Sequence, residues 1–252
     1  FLMAYEWHYD LSTDRPEAIE AFGDLYTAYA LTGEHITQNS LCQVIRVELD
    51  GIGYFVKRYR RGSENPLALF ATSKARREWN NLLRFAQWDV PVARLVAWGE
   101  ESLLGVTGTG LVITEEVAGA TDLSVLANND SALFGDGHWV DCVSQQIAAA
   151  ASTMHQQQFA HNDFHWRNIL ISGSNHSPQV TLIDCPSGRF WCWPFLQHRR
   201  IKDLACLDKM AKQNLSRASR LRFYRHYLGS NNITATDKTL LQKVIHFFVG
   251  CE

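Results

Sequence analysis

The stretch HNDFHWRNIL, His161 to Leu170, constrains this chain more than any other. It places His161, Asp163 and Asn168 directly ahead of the apolar run Ile169-Leu170-Ile171. That pattern reads as a polar loop delivering Asn168 into a strand. Sixteen residues past Asn168 comes Asp184, at the end of Val180-Thr181-Leu182-Ile183, a second strand. Paired as a hairpin, the two strands bring Asn168 and Asp184 together. A carboxylate and an amide oxygen suit Mg²⁺, which keeps several waters and takes its other ligands from nucleotide phosphates. Asp163 would face that metal without ligating it. A carboxylate there can accept a hydrogen bond from a substrate hydroxyl and take its proton during attack on phosphorus. The plainer reading is that Asp163 caps a turn and Asp184 opens a loop, as Asp often does. His161 is expected to brace the loop through a ring hydrogen bond.

The rest of the chain divides in two by periodicity. Gln43 to Leu49 alternates as a strand, Asp50-Gly51 gives a hairpin turn, and Gly53 to Tyr59 returns. Ser73 to Trp88 is helical, with Ala75, Trp79, Leu82 and Ala86 on one face. Pro91 to Trp98 and Gly110 to Val117 read as further strands. The small residues Ala118-Gly119-Ala120-Thr121 then suit a hinge. Beyond them Trp139 to Gln157 is a strong helix, Asn168 to Ile171 and Gln179 to Ile183 are short strands, and the segment after Gln197 is helical in pattern. Ser172 to Pro178, between the short strands, is expected to be only a turn. The expected organisation is a first lobe over 1–117 and a second over 118–252, with a cleft between them.

Composition narrows the function. With 252 residues and 46 % apolar content, a full core can form. A net charge of −2 gives nucleic-acid binding no support. The charge is uneven, however. Seven acidic residues face one Arg over 1–40, and ten Lys and Arg face two Asp from Arg189 to His226. The six cysteines contain no CxxC pair, which fits neither a zinc site nor a disulfide framework and reads as reduced thiols in a cytoplasmic protein. No apolar run approaches the roughly 18 residues of a membrane span. A cleavable leader is not expected, since Glu6, His8 and Asp10 interrupt the start, and Met3 is read as the native first residue.

The order of these motifs resembles the protein-kinase-like fold. The fold class this implies is α+β and bilobal, with an antiparallel sheet and one main helix in the first lobe and a mostly helical second lobe. By that resemblance Lys57 holds the nucleotide phosphates, and Glu78 in the following helix pairs with it. Glu115-Glu116-Val117 occupies the hinge, whose backbone at Glu115 and Val117 would bind adenine. Asp163 is the catalytic base, Asn168 and Asp184 hold Mg²⁺, and Asp203 braces the catalytic loop from below. Within this fold the motifs YFVKRYRRG (Tyr54 to Gly62), HNDFHWRNIL, LIDCPSGR (Leu182 to Arg189) and Arg200-Ile201-Lys202-Asp203-Leu204 look like the lipopolysaccharide core kinases, which phosphorylate Kdo or heptose in the bacterial inner core. The resemblance implies ATP and Mg²⁺ as cofactors and a core sugar as acceptor. It places the reaction in the cytoplasm, with a peripheral site on the inner membrane as an option.

Several departures qualify it. Asp184 is followed by Cys185-Pro186-Ser187-Gly188, and only eighteen residues separate it from Asp203, which leaves no room for a peptide-docking activation segment. No GxGxxG precedes Lys57, so Thr37 to Ser40 are the candidates to cover the phosphates through backbone N–H groups and hydroxyls. His165 stands where a lysine is usual. Arg167 is a candidate to stabilise charge on the transferred phosphoryl group, or else forms a salt bridge on the outer surface. Two other readings stay open: a small-molecule kinase of the antibiotic or choline type, and a kinase-like scaffold without turnover. Phe190 to Phe195 with His198, Arg199 and Arg200 could touch a membrane interface or fill the core of the second lobe. Arg217, Arg220, Arg222 and Arg225 could likewise form the wet face of a helix.

Overall fold

Asp50 and Gly51 both adopt positive φ, 52° and 73°, as a two-residue hairpin turn requires. The Asp50 carboxylate accepts hydrogen bonds from the Glu17 and Ala18 amides, and the Glu17 carboxylate accepts one from the Asp50 amide. The turn therefore caps the first helix as well as joining two strands. This is seen in a computed structural model that describes residues 3–60, 72–103, 106–129 and 132–249. Arg61, Gly62 and Cys251 lie outside the described residues. The chain groups into two compact units, Phe1–Arg84 with Ala93–Ala118, and Phe85–Val92 with Gly119–Glu252.

The first unit carries an antiparallel sheet of β1 (Met3–Tyr9), β2 (Glu34–Gln38), β3 (Cys42–Leu49), β4 (Ile52–Arg60), β5 (Leu95–Leu103) and β6 (Val106–Glu115), in the order β1-β5-β6-β4-β3-β2. Helices α1 (Pro16–Phe22) and α2 (Leu25–Ala30) bury Phe22 and Leu25 against Tyr54, Val56, Leu111 and Ile113. Side chains alternate along a strand, so Lys57 and Tyr59 leave β4 on the opposite face from Tyr54 and Val56. There they meet α3 (Lys74–Gln87), whose Ala75, Trp79 and Leu82 are buried at helical spacing. The one main helix expected in this lobe is thus joined by two short ones. The strand expected from Pro91 begins only at Leu95. Pro91 has no amide donor and a fixed φ; its carbonyl accepts from the Leu182 amide at 2.8 Å, within the second unit.

The second unit runs β7 (Thr121–Asp122), α4 (Leu123–Asn128), α5 (Gly137–Gln156), β8 (Phe159–Ala160), β9 (Ile169–Ser174), β10 (Ser177–Leu182), β11 (Arg189–Phe190), α6 (Phe195–Asn214), α7 (Arg217–Leu228) and α8 (Ala235–Ile245). Asp136 caps α5 by accepting from the His138 and Trp139 amides, which starts the helix ahead of Trp139. Val143, Ile147, Ala151 and Met154 of α5 enter the core with Phe159, Phe164, Ile169 and Leu204. The segment Ser172 to Pro178, expected to be only a turn, is mostly strand. Gly173 pairs with Pro178 and Ser174 with Ser177, confining the turn to Asn175 and His176. Ladder pairing overrides the local turn preference of Ser and Gly, and Gly173 absorbs a φ of 81°. Arg220 is not on a wet face: it makes a bidentate pair with Asp208 at 2.7 and 2.6 Å, while Arg217, Arg222 and Arg225 are exposed. No helix among the described residues is long and apolar enough to cross a membrane.

Candidate active site

The short ribbon of β8 and β11 delivers the chain into the loop that begins at His161. The His161 and Asn162 amides donate to the two carboxylate oxygens of Asp203 at 2.7 and 2.8 Å. Asp203 is fully buried, and two amide donors satisfy a carboxylate that would otherwise be costly there. Asn162 takes a φ of 64°, which reverses the chain toward Asp163. Its carbonyl accepts from Lys202 at 3.0 Å, and its side-chain amide donates to the Ser187 carbonyl at 2.9 Å. Behind Asp203 stands His155, 3.4 Å away, whose other ring nitrogen meets the Tyr227 hydroxyl at 2.9 Å. Arg200 donates to that hydroxyl from two nitrogens. The loop is therefore anchored from below through α5, α6 and α7.

His161 differs from expectation. Its ring is fully buried, and neither nitrogen has a hydrogen-bond partner among the described residues. The backbone amide does the bracing, and the ring stacks on Phe164 at 5.1 Å and 13° and on Phe85 at 6.1 Å. A neutral imidazole is a flat, largely apolar slab, and burial pushes its pKa down so that it stays neutral.

Asp163 sits at the centre of a small cluster. One Arg167 guanidinium nitrogen donates to both its oxygens, at 3.0 and 3.1 Å. The Asn168 side-chain amide donates to its carbonyl at 2.8 Å and to its carboxylate at 3.1 Å. His165 Nε2 lies 3.3 Å from the same carboxylate. Burial pushes the Asp163 carboxyl up, but the Arg167 charge and the hydrogen bonds from Arg167 and Asn168 outweigh it and hold the group below its ordinary value. Arg167 thus forms a salt bridge with Asp163 from a largely exposed position, the second of the two roles expected for it.

At the open end of the β9–β10 hairpin Asn168 meets the segment that leads into Asp184. Ile169 is paired with Leu182, and the Asn168 carbonyl accepts from the Ile183 amide at 3.0 Å. Asp184 follows with a φ of 59°. The donor end of the Asn168 amide is spent on Asp163, so its side-chain oxygen is the end with metal-ligating chemistry. An amide oxygen and a carboxylate are hard, oxygen-only donors of the kind Mg²⁺ takes alongside phosphate and water. Among the described residues no cluster of three or more His, Cys, Asp or Glu stands ready for a metal held by protein ligands alone.

In the first unit, Lys57 Nζ lies 2.8 Å from Glu78 Oε1. Both are buried, and the Tyr59 hydroxyl donates to the other Glu78 oxygen. Burial and the adjacent Glu78 push the Tyr59 phenol well above its ordinary value, so it remains a donor. Tyr59 was legible in principle, since it lies two residues past Lys57 on the same strand face. At the end of β6, the Glu115 and Glu116 amides donate to the Arg94 and Gly53 carbonyls. The Glu115 carboxylate pairs with Arg15 at 2.6 Å, and Glu116 pairs with Arg46 at 2.7 Å. Val117 lies just past the end of β6. Of Thr37 to Ser40, Thr37 is in β2, and Asn39 forms the turn into β3 by accepting from the Leu41 and Cys42 amides.

Comparison with known proteins gives concordant matches. The family model described as the lipopolysaccharide kinase (Kdo/WaaP) family matches residues 46–227. The lipopolysaccharide core heptose(I) kinase WaaP of Pseudomonas aeruginosa is 26% identical over 216 residues, 79% of this chain and 78% of that protein. Its counterpart from Escherichia coli is 26% identical over 165 residues, 61% of this chain and 62% of that protein. Among solved structures, WaaP in complex with acyl carrier protein matches with a TM-score of 0.75 and 24% identity, over 95% of this chain and 96% of that one. At that identity the structural likeness speaks for the fold, which is kinase-like.

Proposed function

The chain belongs to the lipopolysaccharide kinase (Kdo/WaaP) family, and we propose that it transfers the γ-phosphoryl group of ATP to a hydroxyl of the first heptose of the lipopolysaccharide inner core. The observation that carries the site assignment is the joining of Asp163, Asn168 and the start of the Ile183-Asp184 segment by direct hydrogen bonds.

Each side chain then has a defined task. Lys57, fixed by Glu78 and Tyr59, binds the phosphates of ATP, and the backbone around Val117 receives adenine. Asn168 and Asp184 hold Mg²⁺, which when bound neutralises charge on the phosphate oxygens. Asp163 orients the heptose hydroxyl and accepts its proton as the oxygen attacks the γ-phosphorus. A carboxylate held in its ionised form is always ready to accept. Arg167 and Asn168 fix its direction, so much of the rate enhancement comes from alignment. The Asp203 cradle keeps the loop backbone still while this happens.

The acceptor is lipid-linked, which puts the reaction at the cytoplasmic face of the inner membrane. Acyl carrier protein, bound by the solved relative, is also proposed as a partner. Titration of the chain with acyl carrier protein tests it, and the absence of any binding would remove that partner. The kinase assignment is tested by transfer of labelled γ-phosphate from ATP to dephosphorylated core lipopolysaccharide. Label on heptose is expected; label on Kdo alone would overturn the acceptor assignment.

A further inference from the structure

The segment Arg189 to Arg199 is not absorbed by the catalytic account. Phe190, Trp193 and Phe195 are 51%, 66% and 61% exposed, and among the described residues these are the only strongly exposed phenylalanines and tryptophan. A scattered apolar residue on a surface needs no explanation, but three large aromatics within six residues do. The expectation that this stretch fills the core of the second unit is met only in part. Phe190 leans one edge on Trp88 and Phe159, and Leu196 is buried, while the remaining aromatic surface faces outward.

Cations accompany the aromatics. Arg189 and Arg199 both lie over the Trp191 ring, at 5.3 and 4.3 Å from its centroid. The Trp191 amide donates to the Gln158 carbonyl at 2.9 Å, which ties this group to the start of the catalytic ribbon. Between Asp184 and Asp203 the sequence holds Arg189, Arg199, Arg200 and Lys202 and no carboxylate. Arg200 is engaged with Tyr227 and Lys202 with Asn162, which leaves Arg189 and Arg199 beside the aromatics.

We propose that Phe190, Trp193 and Phe195, flanked by Arg189 and Arg199, form a docking surface for the headgroup layer of an anionic bilayer. Aromatic rings settle at the boundary between headgroups and acyl chains, and arginines gain from the negative surface potential there. Charge complementarity favours anionic lipid over a neutral surface. The placement also serves the chemistry. β11, which begins the patch, pairs with β8, which runs into His161, and Asn162 bonds Ser187 two residues before the patch. A bilayer held against the patch fixes the height of Asp163 above the headgroups, where a lipid-linked sugar is presented. That last step rests on the acceptor proposed above; the lipid contact does not.

The test is co-sedimentation of the full chain with vesicles of phosphatidylcholine alone and with vesicles that also contain phosphatidylglycerol. Binding is expected only to the anionic vesicles and should fall with salt. Arg189→Gln and Arg199→Gln should each weaken it about fivefold. Trp193→Ser with Phe195→Ser should weaken it by at least about tenfold. These variants should phosphorylate a deacylated, water-soluble core acceptor as the wild type does, but be slow on the same core in vesicles. Undiminished vesicle binding by the aromatic variant would overturn the proposal. So would a loss of self-association in that variant, seen by sedimentation velocity, with vesicle binding intact, since the patch would then join two copies. Patch-dependent binding without phosphorylation of any core acceptor by the wild type would leave the docking surface standing and remove the acceptor assignment.

Discussion

Arg167 grips both carboxylate oxygens of Asp163 from one guanidinium nitrogen, at 3.0 and 3.1 Å, four residues further along the loop. The contact lowers the pKa of Asp163 against the opposing effect of burial. The sign follows directly: removing the cation lets the carboxyl rise, so protonation begins at higher pH. Arg167→Gln should move the acidic limb of the pH profile of kcat/KM upward, with kcat reduced about tenfold from poorer alignment. An unmoved acidic limb would show that Arg167 does not act through Asp163.

Lys57 and Glu78 form a buried pair completed by Tyr59. Breaking such a pair leaves an uncompensated buried charge, at a cost of about 3–5 kcal/mol, whereas replacing both partners with neutral groups is often close to neutral. Lys57→Met should therefore lower stability by about 3 kcal/mol in chemical denaturation. Adding Glu78→Gln should recover most of that loss while activity stays absent. Recovery of stability without recovery of turnover separates the structural task of the pair from the nucleotide-binding task proposed for it.

Tyr227 connects Arg200 to His155, and His155 to the Asp203 cradle. Tyr227→Phe removes one hydroxyl and should cost about 1 kcal/mol of stability. Because the cradle holds the loop and not the nucleotide, kcat should fall while the KM for ATP stays unchanged. A change confined to KM would contradict this assignment.

These layers were not equally legible in the sequence. The loop from His161, the strands around Lys57 and the spacing of Asn168 and Asp184 are local patterns, and short-range spacing is what a sequence displays. β1, α1, α2 and β2 went unread because helices of seven and six residues are too short to show a period, and the solvent-facing β2 shows no apolar alternation. Ser172 to Pro178 misled because Gly and Ser favour turns, whereas pairing across the hairpin decides the strand. The support under the loop joins positions 155, 203 and 227, and nothing local marks such distant partners. At His161 a polar ring suggests a side-chain hydrogen bond, whereas the backbone makes the bond and the ring stacks.

Two buried histidines set a pH dependence of stability. Burial lowers the pKa of both His155 and His161 below the ordinary value, so the unfolded chain binds their protons first as pH falls. Their contribution is complete above the unfolded pKa of about 6.5 and is lost as pH drops through and below it, with a limiting slope of about 1.4 kcal/mol per pH unit for each. His161→Phe keeps the stacking and removes the titration, so stability below about pH 6.5 should decline less steeply. An unaltered slope in urea melts across this range would contradict the neutral state assigned to His161.

Asp163 is proposed to receive the proton of a core-sugar hydroxyl while other groups hold the nucleotide. The most direct test is single-turnover transfer from ATP to the dephosphorylated core by wild type and Asp163→Asn, with ATP affinity measured on the same preparations. ATP binding should be nearly unchanged, with the chemical step slowed by about a hundredfold or more. A variant that transfers phosphate as fast as wild type would contradict it.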